Sequence, residues 1–341
     1  MNDQYRAEAE KLFAELKAGN DGAAWRFKWE HPRFKGKTVV DVQEAIPSLT
    51  LADAQLVVAR QQSFNTWDEL VAFDPDTRFE QAVDAIVNGD IEKLRAFLRE
   101  DPSLVHARSQ RRHHSTLLHY FGANGVEGQR QKTPPNAVEI MKLLLDAGAE
   151  ADAVSDLYDS NSTTMTMVVS STHPAEAGLQ AALAETLVDY GAKPDVLTAL
   201  IFGYRDTAEA LVRRGAPVDD LPTAAGLNRV ADVERMLPAA DPDARHKALA
   251  LATQLGHVDV VRLLLDAGED PSRFNPEGFH AHATPLHNAV WNEKDDMVRL
   301  LVERGARLDV KDRIYLATPL GWAVYGKKEK VAEYLREHGA A

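Results

Sequence analysis

The sequence predicts an all-α protein built from about eight helix–turn–helix units that follow an N-terminal helical cap. An apolar helical stretch that ends in Gly-Ala and an acidic or proline-containing turn recurs along the chain, and a Thr-Pro-Leu motif precedes the later copies. The chain has 341 residues, whereas a single compact core stops growing near roughly 250–300 residues. A stacked array avoids this limit, because each unit buries its apolar face against its neighbours.

The first segment, residues 1–77, lacks the repeat and is predicted to form the helical cap. Residues 3–17 have the apolar spacing of an amphipathic helix, and residues 51–64 and 66–73 have the pattern of a helix–turn–helix pair. A terminal repeat needs a cover over its exposed apolar face. We therefore favour a cap over an independent functional domain.

The repeated unit fills residues 78–341. In residues 140–152, IMKLLLDAGAEAD, the apolar side chains Ile140, Leu143 and Leu144 form a stripe at helical spacing. The glycine that follows can adopt the left-handed conformation that ends a helix. The equivalent glycines in six copies are Gly148, Gly191, Gly215, Gly268, Gly305 and Gly339.

Helix openings provide a second landmark: ATPLHNAV at 283–290, ATPLGWAV at 317–324 and the weaker STLLHYF at 115–121. Threonine can cap a helix, and proline fits its first turn. With these motifs the chain resembles the ankyrin-repeat family, closely over residues 275–341 and less closely over 79–271. The resemblance implies an ankyrin-repeat α-solenoid that acts as a binding module. It also implies that His119 and His287, at the family's motif position, are structural and bridge neighbouring repeats.

The composition of the chain excludes several kinds of functional site and partner. The chain has no cysteine, which excludes disulfides, thiolate zinc sites, iron–sulfur clusters and a cysteine nucleophile. Its first residues are polar, and it has no apolar run of the ~18 residues that span a membrane. A net charge of −13 gives no support to nucleic-acid binding. We expect a cytoplasmic location, no membrane or nucleic-acid partner, and no cofactor.

Two histidines depart from the family pattern. His114 and His282 each stand two residues before the helix-opening threonine, where the family usually has glycine, so we expect their side chains to project on the hairpin side. His280 and His282 also have the H-x-H spacing of metal ligands. No third ligand has a fixed spacing, so hydrogen-bonding histidines are favoured and no metal is expected.

The second unit carries an insertion at 120–139, just after a basic stretch at 108–114. Long loops inserted within a compact unit tend to be functional or disordered. Arginines and histidines in the basic stretch could hold a phosphate or carboxylate, or could form an exposed loop. Asp156, Tyr158 and His173 of the third unit could carry out proton transfer if they converge. The catalytic candidates are His114, Tyr120, Asp156, Tyr158 and His173.

Large aromatic residues follow in the last two units. Interface hot spots are rich in such anchors, while burial between repeats is the alternative. We favour burial for Trp322 and exposure for Trp291. Together with the basic stretch and the histidines, these residues give the predicted ligand- or partner-binding set: Arg111, Arg112, His113, His114, Asn124, His280, His282, Trp291, Tyr315 and Trp322.

Three functions remain open. The leading hypothesis is a binding module that recognises a protein partner through the concave face of the repeats. The alternative is an enzyme or small-molecule binder that uses the His, Tyr, Asp and Arg cluster of repeats two and three, with a small anionic or polar ligand. A purely structural or oligomerising role is the third. No specific catalytic motif is present, so whether the chain is an enzyme is left open.

Overall fold

A computed structural model describes residues 2–341 and divides the chain into two compact units, Met1–Asp195 and Val196–Ala341. The boundary predicted between residues 77 and 78 lies inside the first unit and stays a prediction. Helices dominate both units. Within the described part of the chain, the strands are Val154–Ser155 and Ser162–Thr163, which pair antiparallel. The all-α fold class is confirmed.

The N-terminal part of the first unit has a hydrophobic core of its own. Leu12, Phe27, Val57 and Leu70 are among its fully or almost fully buried side chains. The α-helices that supply this core are α1 (Asn2–Lys17), α2 (Asp21–Glu30), α3 (Val39–Ala45), α4 (Leu51–Gln61) and α5 (Trp67–Ala72), with short 3₁₀ helices at Pro32–Phe34 and Ile46–Ser48.

Three repeats follow in the first unit. Repeat one is α6 (Arg78–Val87) with α7 (Ile91–Glu100), repeat two is a 3₁₀ helix (Leu117–Phe121) with α8 (Ala137–Asp146), and repeat three is α9 (Thr164–Ser170) with α10 (Thr172–Glu176) and α11 (Gln180–Asp189). Further 3₁₀ helices lie at Pro102–His106, Gly128–Arg130 and Leu157–Asp159. The first helix of repeat two is thus a single short 3₁₀ segment, and the insertion follows it.

The second unit contains five more helix pairs. They are α12 (Val196–Ile201) with α13 (Arg205–Arg213), α14 (Leu221–Gly226) with α15 (Val230–Met236), α16 (Pro242–Leu255) with α17 (Val258–Asp266), α18 (Pro285–Trp291) with α19 (Asp295–Glu303), and α20 (Pro319–Tyr325) with α21 (Glu329–Glu337). A 3₁₀ helix at Leu237–Ala239 joins α15 to α16. We number these pairs repeats four to eight, and in every pair we call the first helix the inner helix.

The local chemistry of each repeat follows the sequence pattern. Thr318 caps α20, since its hydroxyl accepts a hydrogen bond from the Gly321 N–H at 3.2 Å. Gly268 and Gly305 end the second helices of repeats six and seven with φ of 94° and 85°, a region that glycine enters without the steric cost of a Cβ. The apolar stripe of each second helix is buried, as Val261 and Leu264 show in α17.

The motif histidines connect neighbouring repeats. His287 Nδ1 accepts from the Thr284 backbone N–H at 3.3 Å, and His287 Nε2 lies 3.1 Å from the carbonyl oxygen of Ala317 at the entrance to repeat eight. His119 makes the same pair of contacts with Thr116 and with the Ser162 carbonyl, at 3.2 Å each. The ring therefore accepts at Nδ1 and donates at Nε2, which is the bridging role that the family resemblance implies.

Candidate functional site

Aromatic side chains of repeats seven and eight converge on one indole. The ring of Trp322 lies 5.9 Å from the rings of both His282 and Trp291, 5.0 Å from that of His287 and 6.3 Å from that of Tyr315. We call these five residues the Trp322 cluster. Four of the ring contacts are within the 4.5–7 Å range of favourable aromatic pairs. The sequence names four of the five as binding residues without showing that they form one group.

Much of the Trp322 cluster is open to solvent. Trp291 is 49% exposed and Tyr315 is 57% exposed, whereas Trp322 is partly buried and His287 is fully buried. Tyr325, at the end of the same inner helix as Trp322, is 83% exposed. Large apolar side chains that stay exposed next to one another are typical of interaction sites.

A buried carboxylate fixes the central indole. Asp312 is 1% exposed, and its Oδ2 accepts a hydrogen bond from Trp322 Nε1 at 2.9 Å. Its oxygens also accept from the backbone N–H groups of Ile314, Tyr315 and Ala317 at 2.6–3.0 Å. Burial alone would raise the pKa of Asp312, but these hydrogen bonds outweigh burial and hold its pKa below the ordinary value. Asp312 is therefore a charged acceptor that organises both the loop before α20 and the indole.

The two histidines of the H-x-H pair lie at the edge of the cluster. Their rings are 6.3 Å apart, and His280 Nε2 is 3.5 Å from the carbonyl oxygen of Ile201. His280 has φ of 62°, whereas His282 does not adopt a positive φ. Among residues 2–341, no group of three or more His, Asp or Glu side chains has an arrangement that could hold a metal ion.

A cavity of about 400 Å³ opens beside the Trp322 cluster in the second unit. Its wall includes Asn292, the neighbour of Trp291, together with Lys294. The remaining residues that line it are Phe202, Gly203, Arg205, Gln254, Leu255 and His257. This cavity is not predicted from the sequence, since its residues come from three different repeats.

Two residues of the basic stretch of repeat two are buried and hold a carboxylate of the chain itself. Arg111 and His113 are 6% and 2% exposed. Both contact Glu127 Oε1, Arg111 through Nε at 2.5 Å and His113 through Nε2 at 3.2 Å. The His113 Nδ1 accepts from the Ser115 backbone N–H at 3.1 Å, so the proton on Nε2 is donated to the carboxylate.

These residues belong to a larger group of buried charges. Arg130 contacts both Glu80 and Glu127, and Arg111 Nη2 lies 3.5 Å from Glu80 Oε2. We call Glu80, Arg111, His113, Glu127 and Arg130 the buried ion cluster. It balances two carboxylates with two guanidinium groups, which satisfies the requirement that buried charges be paired. Its positive charge is therefore neutralised within the fold.

The ion cluster connects the insertion to the N-terminal helices. Glu127 and Arg130 come from the insertion, and Arg111 Nη1 donates to the carbonyl of Gln62 at 2.8 Å. The Arg111 guanidinium also lies 5.0 Å and 4.5 Å from the rings of Phe64 and Phe73. Burial has the largest single effect on the pKa of Glu127, and it raises this pKa. The His113 hydrogen bond and the nearby arginines outweigh burial and lower this pKa to about 2.

Glu80, Glu127 and Arg130 are not among the site residues predicted from the sequence. A signal for Glu80 does exist: it lies three residues before Val83 and seven before Val87, on the apolar side of α6, and it is 1% exposed. A charged residue on a buried helical face requires a partner of opposite charge. Nothing in the local pattern shows that the partners are Arg111 and Arg130, which follow 31 and 50 residues later.

The five catalytic candidates lie in different environments. Tyr120 is fully buried, and its hydroxyl has no hydrogen-bond partner among the described residues. Burial and the neighbouring Glu127 and Glu80 raise the pKa of Tyr120 far above its ordinary range. His114, Asp156 and Tyr158 are exposed, and His173 is half-buried. The Tyr120 hydroxyl thus does not share a solvent-exposed surface with these three exposed residues.

The remaining members of the predicted binding set lie near the insertion. The backbone N–H of Arg112 donates to the Ser63 carbonyl at 2.8 Å. Asn124 accepts a hydrogen bond from the hydroxyl of Tyr158. His114 is exposed and has φ of 46°. Their roles in binding stay predictions.

Comparisons with known proteins connect the second unit to a family. Residues 221–312 match the family model for ankyrin repeats, in three copies. The chain is 31% identical to an ankyrin repeat-containing protein of Treponema pallidum (strain Nichols) over 139 residues, which are 41% of the chain and 39% of that protein. It is also 31% identical to ankyrin repeat and SAM domain-containing protein 6 of Mus musculus over 103 residues, which are 30% of the chain and 11% of that protein.

A third relative is palmitoyltransferase Hip14 of Drosophila melanogaster, 35% identical over 83 residues, which are 24% of the chain and 12% of that protein. The chain therefore spans less than two fifths of the length of each of these relatives. None of the helices within residues 2–341 is long and apolar enough to cross a membrane. The match over residues 221–312, the repeat pattern and the bridging histidines together show that the chain is similar to ankyrin-repeat proteins.

Proposed function

We propose that the chain binds a partner protein through the Trp322 cluster. Ankyrin repeats are generally protein-interaction modules. The observation that carries the proposal is the convergence of exposed Trp291 and Tyr315 on Trp322. The expectation that the concave face of the repeats is the recognition surface, and that the protein acts in the cytoplasm, is part of this proposal.

The Trp322 cluster has the physical properties of a binding hot spot. Trp and Tyr bring a large apolar area with few rotatable bonds, so they lose little entropy when they bind. The hydrogen bond to Asp312 at 2.9 Å already fixes the orientation of Trp322 in the unbound chain. Such preorganisation lowers the entropic cost of association.

Selection from a random 12-residue peptide library displayed on phage tests the proposal. Purified chain is the bait, and the selected peptides are synthesised and titrated by calorimetry. We expect Trp291→Ala and Tyr315→Ala each to weaken binding by roughly tenfold or more, the usual loss at a hot spot. Circular dichroism checks that both variants keep their helical content.

Trp29→Ala is the matched control. Trp29 is also an exposed tryptophan, 58% accessible, but it lies in α2 of the first unit. We expect this variant to bind the selected peptides like the wild type. If the selected peptides bind the Trp291 and Tyr315 variants as tightly as the wild type, the Trp322 cluster is not the recognition surface.

A further inference from the structure

Repeat five, which packs between two of the repeats that line the cavity, has a glycine at the end of its short inner helix. A Cβ on Gly226 would lie 2.7 Å from Leu251 Cδ2 and 2.9 Å from Leu200 Cδ1. Both distances are shorter than atoms tolerate, so the absent side chain allows repeats four and six to approach each other across repeat five. Leu200 belongs to α12 and Leu251 to α16.

This close approach brings polar groups of separate repeats around one space. Gln254 Nε2 donates to the carbonyl of Ile201 at 2.5 Å, which connects repeat six directly to repeat four. His257 Nε2 donates to the Gly226 carbonyl at 2.9 Å. Asn292 Nδ2 of repeat seven donates to the Gln254 carbonyl at 3.2 Å. The hydrogen bonds hold the walls of the cavity in place.

The wall of the cavity is positively charged although the whole chain carries −13. Among the eight described residues that line it there are two permanent cations, Arg205 and Lys294, and no Asp or Glu. Arg205 Nη2 lies 3.8 Å from Glu209 in an exposed contact of the kind that contributes little. Phe202 and Leu255 add an apolar wall.

Electrostatics at His257 support this arrangement. Burial is the main cause of its lowered pKa; the hydrogen bond to Gly226 opposes burial, and the positive charges of Arg205 and Lys294 each lower the pKa by a smaller amount. The two cations thus act on the same buried ring, which places both charges around the cavity. The lowered pKa keeps His257 neutral at pH 7, so it acts as a fixed donor to Gly226 and leaves the charge to Arg205 and Lys294.

Residues of the cavity wall neighbour residues of the proposed protein-binding surface. Asn292 lines the cavity and directly follows Trp291. On the other side, His280 lies 3.5 Å from the same Ile201 carbonyl that Gln254 contacts, and the His280 ring is 6.3 Å from that of His282. A peptide on the Trp322 cluster can therefore extend into the cavity.

We propose that this cavity binds a carboxylate side chain of the partner segment, so that the preferred partner is an acidic peptide with a large apolar residue on the Trp322 cluster. The inference rests on the proposed function and adds the chemistry of the partner. Two cations and two side-chain amides around a partly apolar space suit a carboxylate. The match of a basic cavity to an acidic peptide also gives specificity.

Fluorescence anisotropy with three labelled peptide pools tests the inference. Each pool has a fixed Trp or Leu in a background of Gly, Ser and Asn, and the pools differ in carrying two Glu, two Gln or two phosphoserine residues. We expect the Glu pool to bind most tightly and to weaken as NaCl rises, because screening acts on charge pairs near the surface. Arg205→Gln and Lys294→Gln should each reduce its affinity about threefold to fivefold, as expected for accessible ion pairs.

Arg213→Gln is the matched control, since Arg213 is an exposed arginine of α13 outside the cavity lining. It should leave all affinities unchanged. Equal affinities of the Glu and Gln pools, or no binding by any pool, overturn the inference. So does a Glu pool that binds Arg205→Gln, Lys294→Gln and wild type alike.

The outcomes separate this inference from the proposed function. If both Glu and Gln pools bind equally and both lose affinity in Trp291→Ala, the Trp322 cluster is the binding surface but the cavity is not a carboxylate site. If the phosphoserine pool binds more tightly than the Glu pool through Arg205 and Lys294, the ligand is a phosphate. A Glu pool whose affinity does not change in Trp291→Ala disproves the joint surface.

Discussion

Asp312 and Trp322 form a partly buried hydrogen bond, with the indole N–H donating to Oδ2 at 2.9 Å. The same carboxylate binds three backbone N–H groups of the loop before α20. One side chain therefore connects the loop of repeat eight to the aromatic surface. The conformation of the loop and the orientation of the proposed binding surface depend on each other.

Asp312→Ala tests this relationship. The change leaves the indole N–H and three backbone N–H groups without their acceptor, and we expect it to lower the free energy of unfolding by about 2–4 kcal/mol. Urea denaturation followed by tryptophan fluorescence measures the loss. The matched control is Asp309→Ala, since Asp309 is exposed and forms an exposed ion pair with Arg307; its effect should stay within about 0.5 kcal/mol. Equal stabilities of the two variants would contradict the assigned role.

The backbone of His114 permits a second prediction. Its φ of 46° lies in the left-handed region, which costs residues with a Cβ roughly 1–2 kcal/mol. Glycine removes this cost and loses about 0.5–1 kcal/mol through greater freedom in the unfolded chain. His114→Gly should therefore raise the free energy of unfolding by about 0.5–1 kcal/mol.

His282→Gly is the matched control, because His282 also stands two residues before a helix-opening threonine but does not adopt a positive φ. Thermal denaturation should show no gain for this variant. A stabilisation of His282→Gly equal to that of His114→Gly would refute the conformational explanation.

The loop lengths explain why these two histidines differ although the sequence aligns them. The Asp312 N–H donates to Ala317 and the Ser109 N–H to Ser115, but the equivalent bond of repeat seven runs from Asn275 to Ala283. The loop of repeat seven is therefore longer, and its left-handed residue moves to His280. Alignment on the threonine predicts the helix start correctly and cannot predict the path of a longer loop.

The repeats could be predicted because their signals are local. The apolar period recurs along the array and the final glycine recurs in six of the units, and eight helix pairs are found within residues 2–341 where about eight were expected. Trp291 and Trp322 were identified individually for the same reason. Their convergence with Tyr315 depends on how consecutive repeats stack.

The buried ion cluster and the cavity could not be predicted in the same way. Glu80 pairs with Arg130 across 50 residues, through an insertion that has no period. The cavity is lined by residues of three different repeats. Such contacts are set by three-dimensional packing of side chains from different repeats, which sequence spacing does not encode.

A third prediction concerns Glu127. Glu127→Gln leaves Arg111 and Arg130 with only one buried carboxylate, so we expect a loss of about 3–5 kcal/mol at pH 7. Its folded-state pKa of about 2 lies below the ordinary 4.5. The ionised form therefore stabilises the fold fully above pH 4.5, and this contribution declines as the pH falls toward 2.

Urea denaturation of the wild type and Glu127→Gln at several pH values between 7 and 3 measures this effect. The difference in unfolding free energy should shrink below pH 4.5. Glu139→Gln, an exposed glutamate in α8, should show neither the large loss nor this pH dependence. A constant difference between pH 7 and pH 3 would contradict the role of the charge.

The last prediction concerns His119, whose burial is the main cause of a pKa lowered from 6.5 to about 4. In the unfolded chain the ring takes up a proton near pH 6.5, while in the folded chain it stays neutral until about pH 4. The unfolded state therefore binds more protons between these values, so the free energy of unfolding falls as the pH drops from 6.5 to 4. The neutral ring is needed because Nδ1 accepts from Thr116 while Nε2 donates to Ser162.

His119→Gln should be less stable at pH 7 and should lose less stability between pH 6.5 and 4.5, as measured by urea denaturation. His106→Gln changes an exposed histidine and should follow the wild-type curve. Parallel pH profiles of wild type and His119→Gln would show that the bridge does not depend on a neutral His119.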